Sequence, residues 1–244
     1  MKDPRTTNRV ELKYYIPPDI RSEVINDLLI FSTIDKYCKS STSGYKVMSI
    51  YYDNHTLKSY RDKADSLPMR IKTRLRFYPP LNSKSSANLE LKHKVYDKGY
   101  KDKLTIPAEK VTNFLEDPTS FSNDDLPLAI MYLYTNNLFP LVKIGYERLA
   151  FTGEHNKGDL RMTIDSNTCC SRYKGDLDFP TIPLFISGDS IFEIKTSDAI
   201  PLWLQRIIIK YGLKRFAISK YGLSIEKLSQ SNELAIHDNI LLNF

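Results

Sequence analysis

The charged residues of this chain fall on alternate positions. In RIKTRLRF, Arg70, Lys72, Arg74 and Arg76 alternate with Ile71, Thr73, Leu75 and Phe77. In NLELKHKV, Glu90, Lys92 and Lys94 alternate with Leu89, Leu91, His93 and Val95, and KDKLTI sets Lys101 and Lys103 together. LRMTID places Arg161, Thr163 and Asp165 against Leu160, Met162 and Ile164. FEIK sets Glu193 and Lys195 against Phe192 and Ile194, and VELKYYI sets Glu11 and Lys13 against Val10, Leu12 and Tyr14. Strand side chains alternate with period two, so each segment reads as a strand with one apolar and one charged face. Arginine forks and lysine ammonium groups are the natural partners of phosphate oxygens.

One such strand is most simply a polar face turned to water. Six are harder to explain that way, because like charges directly opposite one another repel. Suppose the sheet curls into a barrel with its apolar faces outward under helices and its charged faces inward. Two cations about 8 Å apart at an effective dielectric near ~20 repel by about 2 kcal/mol. A lumen crowded with cations therefore calls for anions. The ligand that fits is a flexible polyanion with closely spaced charges, its oxygens joined by a divalent cation held on the few inward carboxylates.

The remaining sequence supplies elements to hold such a sheet. Helices are expected over about 18–31, 107–115 and 201–211, each opened by proline, and through DDLPLAIMYLYTNN with Asn123 as cap. Ile20, Val24, Leu28 and Phe31 share a face of the first, and Trp203 sits on the apolar face of another. The rest reads as strands, with hairpin loops at 79–88 and 153–159. No linker divides the 244 residues, so one domain over 1–244 is expected, of α+β class. The formal charge of +6 favours anionic partners. Three cysteines and four scattered histidines make neither a disulfide framework nor a zinc motif. There is no phosphate loop of the GxxxxGK[ST] type. The N-terminus lacks a signal-peptide core, and a cytoplasmic setting is expected. Sixteen tyrosines raise the thought of nucleic acid, but the aromatic residues mostly fall on the apolar side of their strands, so no nucleic acid is expected.

The ordered series VELKYYI, SIYYDN, YRDK, RIKTRLRFY, LELKHK, KDK, YERLAF, LRMTID, FEIK, PLWL and FAISKYG resembles the catalytic domain of the vacuolar transporter chaperone (VTC) polyphosphate polymerases, in the triphosphate tunnel metalloenzyme superfamily. The resemblance runs from Arg9 to Gly222. It implies a closed antiparallel β-barrel, the tunnel, with helices packed outside. It also implies transfer of the γ-phosphate of ATP to a growing inorganic polyphosphate with Mn²⁺ or Mg²⁺. Residue by residue, it implies that Lys13, Lys92, Lys103, Arg148, Lys195 and Ser219 bind phosphates, that Arg74, Arg76, Arg161 and Lys220 position and neutralise the transferring group, and that Glu193 holds the metal.

Phosphoryl transfer through a loose transition state needs alignment and charge neutralisation more than a protein nucleophile. Glu11 and Glu90 are read as second contributors to the metal or, in preference, as salt-bridge partners of the lysines, and Asp53 as a turn cap in preference to a metal ligand. Arg70 and Lys72 are read as lying toward the entrance, where they attract ligand. Arg74→Ala is expected to stop turnover with little loss of folding, since it removes one cation from a crowd. Hydrolases of the superfamily open with Glu-x-Glu-x-Lys, whereas this chain has Arg9-Val-Glu11-Leu-Lys13, which favours the polymerase over a triphosphatase. A polyphosphate sensor with an inert tunnel uses the same cations and stays open. So does a membrane-protein partner that exports the product and holds the domain peripherally at a membrane.

Overall fold

A computed structural model describes residues 10–96, 98–121, 127–153, 160–185, 187–237 and 240–241. The alternating segments form the strands β1 (Val10–Ile16), β2 (Ser32–Ile34), β3 (Tyr45–Asp53), β4 (Met69–Phe77), β5 (Ser86–Val95), β6 (Lys98–Pro107), β7 (Phe139–Gly153), β8 (Leu160–Arg172), β9 (Ile182–Pro183) and β10 (Ser190–Thr196). A small hairpin, β11 (Ile236–His237) and β12 (Ile240–Leu241), follows. The helices are α1 (Arg21–Phe31), α2 (Lys58–Ala64), α3 (Val111–Glu116), α4 (Leu128–Thr135), α5 (Leu202–Lys210) and α6 (Lys220–Gln230). Prolines 127 and 201 stand immediately before α4 and α5, where their fixed φ suits a helix start. Asn123 and the turn 154–159 lie outside the described residues.

The main sheet is antiparallel in the order β1-β10-β8-β7-β3-β4-β5-β6, with β2 on β7 and β9 on β8. Its outer face carries two apolar cores. Leu12, Tyr14, Phe151, Met162, Ile164, Phe192 and Ile194 pack beneath α1 and α5, where Phe31 and Trp203 stack at 5.1 Å. Met48, Ile50, Leu75, Phe77, Leu89 and Leu91 pack beneath α3 and α4. Removing these side chains from water is the main force that closes the helices onto the sheet.

Two expectations need correction. The sheet is not closed into a barrel by hydrogen bonds, because its ends β1 and β6 do not pair. The free edge of β1 is taken by the segment leading into α6: Tyr14 bridges Arg215, and the Phe216 amide donates to the Lys13 carbonyl at 3.0 Å. Side chains span the gap, since the Lys92 ammonium on β5 reaches Glu11 on β1 at 2.9 Å.

The helices are also not all outside. Tyr221, Ile225 and Leu228 of α6 pack on the inner face against Val47, Tyr51, Val142, Ile144 and Tyr146. The sequence alone suggests strand both here and at α2, and both are helices. A helix forms at α6 because the Ser219 hydroxyl accepts the Gly222 amide at 3.2 Å and the apolar residues recur at helical spacing. At α2, Asp53 accepts the Ser59 amide at 2.9 Å and the Tyr60 amide at 3.1 Å, which is the capping role expected of it. No helix among the described residues is long and apolar enough to cross a membrane.

Candidate phosphate-binding tunnel

Antiparallel register brings the charged faces of neighbouring strands into rows. Lys13 lies opposite Glu193, and Glu11 opposite Lys195, which lies opposite Arg161. Asp165 lies opposite Arg148. On the other half of the sheet Tyr51, Arg74, Glu90 and Lys103 form one row and Lys72, Lys92 and Lys101 another.

The cations of these rows are interleaved with carboxylates. The Lys13 ammonium lies 2.9 Å from Glu11 and 3.5 Å from Glu193, and Lys195 lies 2.6 Å from Glu193. Burial and the neighbouring Glu193 push the Glu11 carboxyl up, and Lys13, Lys92 and Lys195 together bring it down to about 2. Burial likewise opposes ionisation of Glu193, yet Lys13, Lys195, Lys220 and Arg148 hold it well below the usual carboxylate range. Glu90 takes Arg74 at 2.7 Å and Lys101 at 3.0 Å. Against its burial, those two and Arg76 hold it at about 2. The fully buried Asp165 carboxylate accepts Arg148 Nε at 2.6 Å, Arg148 Nη2 at 2.8 Å and Lys220 Nζ at 2.5 Å. The salt-bridge reading of Glu11 and Glu90 describes their positions.

Two tyrosines that the alternation did not single out complete the site. The Tyr51 hydroxyl receives Arg74 Nη1 at 3.0 Å, and its ring stacks on Tyr221 at 5.2 Å. Burial raises the Tyr51 hydroxyl, but Arg74, Arg76 and Lys220 outweigh it and bring it down to about 8. The β7–β8 register shifts at a bulge in β8, where Asn167 and Thr168 stand opposite Tyr146 alone, while Tyr146 stays paired with Val47 of β3. A Cβ at Gly145 would lie 2.6 Å from the Phe179 ring, so the packing of that ring on β7 requires glycine there. Tyr146 accepts Arg76 Nη2 at 3.3 Å, and Lys220 lies 4.7 Å above its ring.

The residues expected at the site are thus partly drawn together. Lys13, Lys92, Lys195 and Glu193 meet around Glu11, while Arg74 and Arg76 lie side by side on β4. Arg148, Lys220 and Ser219 meet where α6 begins. Arg161 stands apart: it is 53% exposed and held by Asp35 at 3.1 Å. Lys103 is exposed on β6, and Lys101 takes the Glu90 carboxylate instead. Lys72 is not an entrance residue, because its ammonium donates to Ser219 Oγ at 2.8 Å inside the trough. The Arg74→Ala expectation also changes, since removing Arg74 strips a buried carboxylate of its main partner. His93 stacks on Tyr100 at 4.2 Å on the outer face.

Among the described residues no three His, Cys, Asp or Glu side chains converge as a metal cage. Glu11 and Glu193, which share the Lys13 ammonium, do offer two ionised carboxylates on β1 and β10. One or two carboxylates completed by phosphate oxygens and water is the donor set Mg²⁺ and Mn²⁺ prefer, so the residues fit such an ion.

The concave face of the curled antiparallel sheet is lined with arginine and lysine interleaved with carboxylates. The profile of the VTC domain matches residues 8–229, and the chain belongs to that family. Among solved structures it is similar to a protein from Hippeastrum. That protein is described as a putative adenylyl cyclase, HpAC1, with a dominant triphosphatase activity. The identity is 12%, the TM-score is 0.52, and the match covers 93% of this chain and 97% of that one, a likeness of fold. A comparison with curated proteins returns no match.

Proposed function

We propose that this domain is a polyphosphate polymerase, which moves the γ-phosphate of ATP onto the end of an inorganic polyphosphate chain lying in the trough. The observation that carries the reading is that every interior acid is tied to cations: Glu11 to Lys13 and Lys92, Glu90 to Arg74 and Lys101, Asp165 to Arg148 and Lys220, and Glu193 to Lys13 and Lys195. Glu11, Glu90 and Asp165 are held near about 2 and Glu193 well below its ordinary range. Carboxylates of that kind are weak bases, poorly suited to activating water. A terminal phosphate is already an anionic nucleophile and needs no base. Its oxygen forms a bond to the γ-phosphorus as the bond to the bridging oxygen of ATP breaks, and ADP leaves.

The roles of the side chains follow from their tethers. Among the described residues the hydrogen-bond partners of Arg76 are the hydroxyls of Ser49 and Tyr146, at 3.4 and 3.3 Å, and with no carboxylate on it the fork is left to grip the transferring group. Arg74, Arg148 and Lys220 are each fixed by a carboxylate and form a rigid frame of donors, which lowers the reorganisation needed at the transition state. Lys13, Lys92, Lys103 and Lys195 bind the chain as point charges, Ser219 donates its hydroxyl, and Arg161 receives phosphates at the rim. A Mn²⁺ or Mg²⁺ on Glu193, with Glu11, would neutralise non-bridging oxygens.

The test is incubation of the purified protein with ATP and Mn²⁺, with products resolved on a gel stained for polyphosphate. A ladder removed by exopolyphosphatase is expected. Orthophosphate without a ladder would assign a triphosphatase, the activity described for the Hippeastrum protein. Neither product, together with thermal stabilisation by tripolyphosphate, would assign a sensor.

A further inference from the structure

β4 carries a cation two residues before Arg74 to which the VTC resemblance gives no role in binding. Lys72 is half-buried on the inner face, and its partner is the neutral Ser219 hydroxyl, at 2.8 Å. Lys13, Lys92, Lys101, Lys195 and Lys220 each have a carboxylate. Lys72 makes no ion pair among the described residues. The groups facing it are Lys13 from β1, the Tyr51 hydroxyl from β3, Lys63 from α2 and Arg70 from its own strand. Lys92 lies opposite it on β5, and Ser219 approaches from the start of α6.

Ser219 Oγ accepts twice, from Lys72 and from the Gly222 amide at 3.2 Å. Both lone pairs are then used, and the hydroxyl hydrogen is left to be given to another acceptor. An ammonium with no carboxylate partner among the described residues and a hydroxyl with a hydrogen to donate stand together, a donor set suited to an anion.

We propose that Lys72, with the Ser219 hydroxyl, is a further phosphate-binding residue of the trough, and that it takes a proton from solvent when a phosphate chain enters. This rests on the reading that the trough binds polyphosphate. Burial lowers the Lys72 ammonium, the Tyr51 hydroxyl opposes that, and the cations Lys13, Lys63 and Arg70 add to it, for a value of about 8. Near pH 8 about half of the Lys72 side chains are therefore neutral. A phosphate oxygen beside the nitrogen favours the charged form, so binding draws in about half a proton at this residue.

The test is calorimetric titration with tripolyphosphate at pH 8 in two buffers of different ionisation enthalpy, which yields both affinity and protons exchanged. Wild type, Lys72→Met and Lys72→Arg are compared, so the protons of tripolyphosphate itself cancel. Lys72→Met should bind about tenfold more weakly, the loss of one charge-assisted hydrogen bond, and take up fewer protons than wild type. Lys72→Arg, whose guanidinium stays charged, should bind within about threefold of wild type yet show the same reduced uptake. Proton uptake by Lys72→Arg equal to that of wild type would overturn the proposal while leaving the polyphosphate reading intact. No binding of tripolyphosphate by wild type would overturn that reading, and the role of Lys72 with it.

Discussion

Replacing Asp165 by asparagine removes one charge from the most buried ion cluster of the trough. The wild-type carboxylate is fully buried between Arg148 and Lys220. Burial alone would raise its pKa, but Arg148 and Lys220 bring it from 3.8 to about 2. That displacement corresponds to about 2–3 kcal/mol of stability. Asparagine retains the shape but leaves two cations facing a neutral amide, so the variant should lose about 3–5 kcal/mol at pH 7. The folded pKa lies below the unfolded one. The contribution of Asp165 is therefore complete above about pH 4 and is lost as pH falls through about 2. Urea unfolding at pH 7, and then stepwise from pH 5 to 2, measures both effects. Glu11 and Glu90 titrate in the same window, so the quantity to read is the gap between wild type and variant, which should narrow as the acid is added. Tripolyphosphate should restore more stability to the variant than to wild type, because its oxygens replace the missing anion. A loss below about 1 kcal/mol at pH 7, or a gap that stays constant from pH 5 to 2, would refute the reasoning.

The paired arginines should separate in one experiment: Arg76→Ala keeps its stability within about 1 kcal/mol while turnover falls at least about a hundredfold. Arg74→Ala should lose turnover and also about 1–3 kcal/mol, because Glu90 stays buried with Lys101 alone; equal unfolding curves for the two variants would contradict this. Tyr221→Phe takes away the hydroxyl that donates to the buried Asp53 carboxylate at 2.6 Å, and should cost about 1–3 kcal/mol in a denaturant titration. Glu193→Gln should raise the Mn²⁺ concentration needed for half-maximal turnover by at least about tenfold, and an unchanged requirement would remove Glu193 from the metal.

The period-two alternation made most of the sheet legible, since apolar residues such as Leu75, Phe77, Met162 and Ile194 had to find an outer core and the charged residues an inner face. What stayed hidden depends on contacts between distant parts of the chain. Whether β1 pairs with β6 is decided by residues 215–216, about two hundred positions from β1, which take its edge first. KYGLSIEKLSQ mixes strand-like and helix-like residues, and it becomes helix through the Ser219 cap and the inner apolar surface that Ile225 and Leu228 cover. Asp165 was visible on the charged face of LRMTID, but its role as counter-ion needs Arg148 and Lys220 beside it. A reading that counts cations strand by strand therefore overstates their repulsion. Tyr146 lies on the inner face in step with Arg148 and could have been found by following the alternation along β7. Tyr51 lies on the inner face in step with Arg74 and could have been found by extending the alternation to β3.

The most direct measurement follows the γ-phosphate of ATP. With that phosphate labelled, Mn²⁺ present and short polyphosphate added as acceptor, the label is partitioned between chain and orthophosphate. Incorporation into the chain that rises with acceptor concentration and falls in Arg76→Ala is the predicted result. Label released as orthophosphate at a rate indifferent to the acceptor would contradict the polymerase account and assign the trough to hydrolysis.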